Sequence, residues 1–317
     1  MTKTTRRAVL GALAGATAAG AAACTASRPS PRERPTFVFV GGNGATSFFW
    51  MPVVRALSLR GHRSHPVELP WHGLDAEFSL AYQAPQNLDA LHRQPSNLSK
   101  VTLAEYADAV VGALRKVRAH GPVILVAHSL GGASATLAAN LAHDLIDRLV
   151  YISAICCTAR KSPLDYVLGA ENKGSLGLAG TLPSAELSTP KTTMITHTNQ
   201  RTADRRFHDG SRAATMAEAT ESQYYATINF CFQPIESASV SLEDARGNPA
   251  TWGRIPRSYV RLTADRFNTV PNQDRMIADA DAATPGNRFD VHDLDSSHLG
   301  FVLDADRIAA ILDRIAS

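Results

Sequence analysis

The sequence predicts an α/β fold: a mostly parallel sheet with helices on both faces and a cap inserted over it. Three observations carry this reading. Short apolar, β-branched runs alternate with amphipathic stretches of crossover length, the pattern that lays strands parallel and returns the chain across a sheet face. At residues 122–140 (PVILVAHSLGGASATLAAN) a buried-strand run passes through a serine-bearing turn directly into an alanine-rich helical pattern. From about Cys156 to Ser241 the alternation lapses and then resumes, which marks an insertion rather than a second domain.

Taken in order, residues 36–40 (TFVFV) read as the first strand, broken by Gly41-Gly42-Asn43-Gly44-Ala45. A helix follows over 48–60, with Trp50, Val53, Val54 and Leu57 at helical spacing and Gly61 at its end; 63–69 is the next strand. Residues 75–99 are polar and aperiodic, a long excursion of the kind that serves function in compact domains. A helix is predicted over 102–117, with Thr102 as cap and Glu105 at the capping-box position. The strand 123–127, the serine turn and a helix to about His143 come next, then a strand-like run over 145–153. Within the insertion, 164–178 carries several glycines, 196–212 is strongly polar, and 213–228 reads as one helix. The β/α pattern resumes with a strand at 257–263, a helix around 272–282, a short strand at 287–291 and a closing amphipathic helix at 304–316. The core is therefore assigned to 36–155 and 241–317, and the cap to 156–240.

The N-terminus reads as targeting sequence. Thr4-Thr5-Arg6-Arg7 precedes an Ala/Gly-rich apolar run over 8–23 that ends at Cys24, the layout of an export signal with a twin-arginine character. Ala21-Ala22-Ala23-Cys24 also resembles a lipoprotein box with Cys24 as the lipid-bearing residue, although alanine stands where leucine is usual. Residues 25–35 (TASRPSPRERP) are a Pro/Ser/Arg-rich tether. The chain is thus expected to be exported, to the medium or the cell surface. Of its 32 basic and 29 acidic residues, six basic and one acidic lie in residues 1–34, which leaves 26 against 28. The body is therefore slightly acidic, and the basic balance of the full chain gives no reason to expect nucleic acid. No later apolar run reaches the ~18 residues of a membrane span. Cys156, Cys157 and Cys231 fit equally a disulfide between Cys231 and one of the other two, as an exported protein permits, or three small buried hydrophobes.

The chemistry centres on Ser129. A serine between strand and helix sits on a strained turn that exposes its hydroxyl, and its neighbours must be small because strand and helix approach closely. Ala127-His128-Ser129-Leu130-Gly131 meets that demand with alanine at the first position, and Gly131-Gly132 on the far side. A serine hydroxyl needs a base to take its proton, and the base needs a third group to hold its tautomer. His298, in the loop between the last strand and last helix, is the base, preferred over His292 at the strand end. Asp265 directly follows the strand 257–263 and is the acid. Oxyanion donors are the backbone amide of Leu130 and, from the turn at Gly42, that of Asn43. Gly-Gly-Asn-Gly does not match Gly-x-Gly-x-x-Gly and no P-loop lysine follows, so its amides are not assigned to a phosphate. His128 lines the pocket or packs, because adjacent side chains on such a turn diverge. Phe48, Trp71, Tyr224, Tyr225, Phe230 and Phe232 supply an apolar entrance. No cofactor and no metal is called for.

The set FVFVGGNG…FFW (37–50), ELPWHG (68–73), VAHSLGG (126–132), WGRIPRSYVRLTADR (252–266) and SSHLGFV (296–302) resembles the α/β-hydrolase superfamily. It is similar in particular to the branch of esterases and hydroxynitrile-lyase-like proteins that includes plant methylesterases and bacterial esterases. The resemblance spans about 36–316 and implies the α/β-hydrolase fold, with Ser129, Asp265 and His298 as triad, Gly42-Asn43 as oxyanion turn and roughly 156–240 as cap. Two departures stand out. The family usually has His-Gly where this chain has Gly41-Gly42, so a side chain that braces the turn is missing. The lyases use a lysine near the histidine, and residues 290–301 contain none. The expected activity is hydrolysis of a small to medium, mainly apolar ester through an acyl-enzyme. A lactone, amide or thioester substrate is the alternative within hydrolases. A lyase or a binding protein is the alternative outside them.

Overall fold

The computed structural model describes residues 34–177 and 194–317. The expected export signal, Cys24 and nearly all of the expected tether fall in 1–33 and lie outside the described residues. Six strands form the central sheet: β1 (Thr36–Val40), β2 (Arg63–Pro66), β3 (Val123–His128), β4 (Arg148–Ile152), β7 (Arg257–Leu262) and β8 (Asp290–Leu294). Two further short strands, β5 (Ile195–His197) and β6 (Ile235–Ser237), pair antiparallel with each other. The large sheet runs β2-β1-β3-β4-β7-β8 with every neighbour parallel.

Alternation along the central strands feeds two cores, one on each face. Val38, Val40, Leu125, Ala127, Leu149 and Tyr151 point one way and pack with Tyr106, Val110 and Leu114 of the helix Leu103–Arg118. Phe37, Phe39, Ile124, Val126, Val150 and Ile152 point the other way, against Val53 and Leu57 of Met51–Leu59 and Ile308, Ile311 and Leu312 of Ala305–Ile315. Strands buried on both faces read as nearly continuous apolar runs, which is why TFVFV and VILVA stand out. The capping box is present as expected: Thr102 Oγ1 accepts from the Glu105 amide at 3.2 Å and Glu105 Oε2 accepts from the Thr102 amide at 2.8 Å.

Several elements differ from the sequence reading: the second strand spans Arg63–Pro66 rather than 63–69, and the fourth Arg148–Ile152 rather than 145–153. The segment 213–228 is not one helix; Arg205–Thr215 ends and Glu221–Cys231 begins a few residues later. Thr220 starts the second with its own capping box to Gln223, a Thr-x-x-Gln signal that was legible. The last strand is Asp290–Leu294 rather than 287–291. As an edge strand, with only Leu294 buried among its five residues, it lacks the apolar run that locates inner strands. Asn287 instead ends its turn, donating through Nδ2 to the carbonyls of Gly253 and Ile255.

Cys156, Cys157 and Cys231 are all free. The first two are buried in the core under one face of the sheet, while Cys231 packs against the core of the other, so the sheet separates them. No helix among the described residues is long and apolar enough to cross a membrane. Among the same residues no group of His, Cys, Asp and Glu is placed to hold a metal ion.

Candidate active site

The site lies where the topology opens a crevice. From β1 the chain moves outward to β2 and then returns to the other side of β1 as β3, so the loops leaving β1 and β3 diverge at neighbouring carboxyl ends. The register pairs Val40 with Ala127, which sets Gly41-Gly42 beside His128-Ser129. Ser129 has φ 53°, the strained left-handed region. The Ser129 backbone is tied to the segment after β4: its carbonyl accepts from Ile155 N–H at 2.9 Å. The strain is sustained by close packing that tolerates almost no side chain. A Cβ on Gly42 would lie 2.7 Å from Ser129 Cβ, and one on Gly131 would lie 2.2 Å from the Gly41 carbonyl oxygen. Gly131→Ala is therefore expected to push the Gly41–Gly44 turn away from Ser129. Stability should fall by ~1–3 kcal/mol, and kcat should fall with it; a denaturant melt and steady-state kinetics check both.

His298 reaches back over the sheet from the loop after β8. Its Nε2 is 2.9 Å from Ser129 Oγ and its Nδ1 is 2.6 Å from Asp265 Oδ2. With a carboxylate at Nδ1, that nitrogen carries the proton and Nε2 presents its lone pair to the serine. Asp265 is 5% exposed and His298 3%, so little water competes for either bond. Sequence reasoning did not identify what holds Asp265. Its Oδ1 accepts from the amides of Phe267 and Asn268, both at 2.8 Å, and its Oδ2 also accepts from Ser153 Oγ at 2.7 Å. Asn268 in turn donates from Nδ2 to the Ser153 carbonyl at 2.9 Å. The loop bearing Asp265 is clamped to β7 by Gln273, whose side chain bonds both the amide and the carbonyl of Leu262 at 3.0 Å.

The break between the two cap helices has its own purpose. The Thr215 carbonyl accepts from Leu299 N–H at 2.8 Å and from Ser297 Oγ at 2.9 Å, and Glu218 Oε1 accepts from the Ser297 amide at 3.0 Å. A continuous helix over 213–228 would use the Thr215 carbonyl internally and leave the His298 loop unsupported.

Leu130 precedes the helix Gly131–Leu141 as its N-cap residue, where amides have no intrahelical acceptor and the helix dipole is positive. Across from it, Asn43 and Gly44 (φ 63°) form the middle of a turn closed by Ala45 N–H on the Gly42 carbonyl at 3.0 Å. Asn43 and Gly42 line the same cavity as Ser129 and His298.

That cavity holds about 190 Å³. Of the pocket residues expected from sequence, Gly42 and His128 line it, as do Tyr224 and Phe232. Phe48, Trp71, Tyr225 and Phe230 do not. The cavity takes Tyr224 and Ile228, one helical turn apart, so the same helix turns Tyr225 toward the His208 ring at 5.0 Å and leaves Phe230 77% exposed. Phe48 and Trp71 are exposed on the surface. Phe207, Phe267 and Leu299 complete the apolar wall, while Thr198, Gln200 and Ser211 add polar groups. Phe207 and Ser211 are one turn apart on the helix Arg205–Thr215, which the strongly polar character of 196–212 concealed, and Thr198, Gln200 and Phe267 lie in loops, where no pattern marks the inward side.

His128 is buried, stacks on Phe49 at 5.3 Å, and donates from Nε2 to the His298 carbonyl at 2.9 Å. Burial, and then the neighbouring His298, hold its pKa well below the ordinary 6.5. It is thus a neutral support beside His298 and adds no positive charge there.

Solved structures with this architecture include the pyrethroid hydrolase from Sphingobium faniae JZ-2, 20% identical over 89% of this chain and 97% of that one, with a TM-score of 0.64. An extracellular α/β-hydrolase from a Paenibacillus species is 20% identical over 88% and 98%, TM-score 0.61. Polyneuridine aldehyde esterase is 17% identical over 90% and 100%, TM-score 0.65. At such identities the likeness concerns the fold. No curated protein matches the sequence. A family model does, over residues 37–311, and by it the chain belongs to the alpha/beta hydrolase family.

Proposed function

We propose that this protein is a serine hydrolase that cleaves a small to medium, mainly apolar carboxylic ester through an acyl-enzyme. The observation that carries the reading is the unbroken relay Ser129 Oγ, His298 Nε2, His298 Nδ1, Asp265 Oδ2, at 2.9 and 2.6 Å. As Ser129 Oγ bonds to the ester carbonyl carbon, its proton passes to His298 Nε2, and Asp265 stabilises the imidazolium. The carbonyl oxygen becomes an oxyanion held by the amides of Asn43 and Leu130. When the tetrahedral adduct collapses, the bond to the alkoxy oxygen breaks and His298 returns the proton to it. Water, deprotonated by the same histidine, then attacks the acyl-enzyme and releases the acid and Ser129.

Residues 36–155 and 241–317 serve as the catalytic core in this reading, and 156–240 as the cap that selects substrate. The cavity's apolar wall of Phe207, Ile228, Phe232, Phe267 and Leu299 supports an apolar acyl or alcohol group. Its modest volume supports a short one. A series of p-nitrophenyl esters of increasing acyl length tests this: kcat/KM should peak at short to medium chains and fall for long ones. No hydrolysis across the series would reject a general esterase. Ile228→Ala should move the optimum toward longer chains.

The leader supports export as the setting for this activity. If Cys24 carries a lipid, Cys24→Ser should move the protein from the membrane fraction to the soluble exported fraction; an unchanged distribution would reject the anchor.

A further inference from the structure

The turn that offers Asn43 is entered through Gly41 and Gly42, which bring no side chain to brace it, yet it is firmly held from elsewhere. The Gly44 amide donates to Glu236 Oε2 at 2.8 Å. Glu236, in β6, is 3% exposed. Its Oε2 also faces His72 Nε2 at 3.2 Å, while Oε1 accepts from Tyr106 Oη at 2.5 Å and from the Ser237 amide at 2.8 Å. Four donors therefore converge on one carboxylate, which fills its acceptor capacity. Only the ionised form accepts at all four positions.

His72 keeps that carboxylate charged. The ring is fully buried; Nδ1 lies 2.9 Å from the Pro70 carbonyl and Nε2 faces Glu236. Both nitrogens meet acceptors, so both must carry protons, which makes the ring an imidazolium. Burial works against charge on each partner, but their attraction outweighs it: His72 is held above its ordinary 6.5 and Glu236 below its ordinary 4.5. Glu68 adds a second negative charge near His72. The chain accepts strain to aim this ring inward. Trp71 and Gly73, on either side of it, both have positive φ, 61° and 63°, and a tryptophan there is a backbone outlier. Gln233 Nε2 fastens the outlier by donating to the Trp71 carbonyl at 3.1 Å.

We infer that Glu236 and His72 are positioning residues that lock the Gly42–Gly44 turn, so that Asn43 N–H is aimed at the oxyanion. The inference rests on the serine-hydrolase reading and assigns the bracing of a glycine-entered turn to a buried ion pair from the cap and from the β2 loop. Its consequence is a pH window. The stabilisation from His72 is complete below its unfolded pKa and is lost as pH rises through the raised folded one. That from Glu236 is complete above its unfolded pKa and is lost as pH falls through the lowered one. Turnover should therefore decline on the alkaline side as His72 loses its proton.

The test measures kcat and KM against pH for the mature enzyme and for Glu236→Gln, His72→Gln and Tyr106→Phe, with melting curves for each. Glu236→Gln keeps the shape but cannot accept from all four donors. It should lower kcat about 10–100-fold, with KM within about twofold, and move the alkaline limb to lower pH. His72→Gln should lower kcat and abolish the limb. Tyr106→Phe removes one donor to Glu236 Oε1, the oxygen that does not hold Gly44, and should cost less, with the limb unmoved. A folded Glu236→Gln enzyme with the wild-type kcat and pH profile would overturn the inference. If neither charge variant folds, a wild-type kcat with no alkaline decline would overturn it. A fluorophosphonate probe applied to wild type keeps the two claims apart: failure to label Ser129 sinks the hydrolase reading itself, while a labelled, active wild type with an indifferent Glu236→Gln sinks only the positioning role.

Discussion

Ser129→Ala is expected to keep its fold and lose hydrolysis by a factor on the order of 10⁵–10⁶ in kcat. Removing the hydroxyl leaves the proposed Asn43 and Leu130 amides and the cavity intact, so a small acceleration over water should survive. Stability should hardly change, because Ser129 Oγ bonds only to His298 Nε2 among the described residues. The strained φ of 53° supplies an internal control. Ser129→Gly should be equally inactive but more stable than Ser129→Ala, since glycine adopts positive φ without steric cost. Ester turnover by stopped assay and thermal melts of the three proteins give both answers. An alanine variant that retains wild-type turnover would place the nucleophile elsewhere.

Asp265→Asn is expected to lower kcat by about 10⁴-fold. The carboxylate accepts from His298 Nδ1, Ser153 Oγ and the amides of Phe267 and Asn268. An asparagine has one acceptor oxygen and one NH₂ donor. If the oxygen faces His298, the NH₂ meets two backbone donors; if it faces the backbone, the NH₂ confronts Nδ1 and forces the wrong tautomer. Either choice is costly, and stability should fall by ~1–3 kcal/mol as buried donors lose their partner. Steady-state kinetics on the folded variant decide the point. Activity within tenfold of wild type would mean that another group orients His298. Because the triad acts as a unit, adding His298→Ala to Ser129→Ala should cost almost nothing further.

How much of this was legible in the sequence follows from the range of the interactions. The inner strands and the serine turn show because burial on both faces demands unbroken apolar runs, and close approach demands Gly131 and Gly132. Ser129, Asp265 and His298 could be ordered because each follows a strand. The edge strand Asp290–Leu294 was misplaced because, half solvated, it has no such run. The helix break at residues 216–220 was overlooked although Thr220 and Gln223 signalled it, because the apolar spacing ran through it. Of the expected aromatics, Tyr224 and Phe232 line the cavity while Phe48, Trp71, Tyr225 and Phe230 lie outside it for a different reason: all are the right chemical type, and only the fold decides which face inward, as the orientation of the helix Glu221–Cys231 does for Tyr224 against Tyr225. Least legible was Glu236, three of whose four partners lie 192, 164 and 130 residues away at Gly44, His72 and Tyr106. Nothing local distinguishes such a carboxylate from a solvated one.

The central claim is that Ser129 is a nucleophile activated by His298 and oriented by Asp265. Incubation with a fluorophosphonate probe, read by intact mass and peptide mapping, tests it most directly. The account predicts one adduct on the wild-type protein, located on Ser129, with no adduct on Ser129→Ala and much slower labelling of His298→Ala. Folded wild type that stays unlabelled, or Ser129→Ala that labels as wild type does, would contradict it.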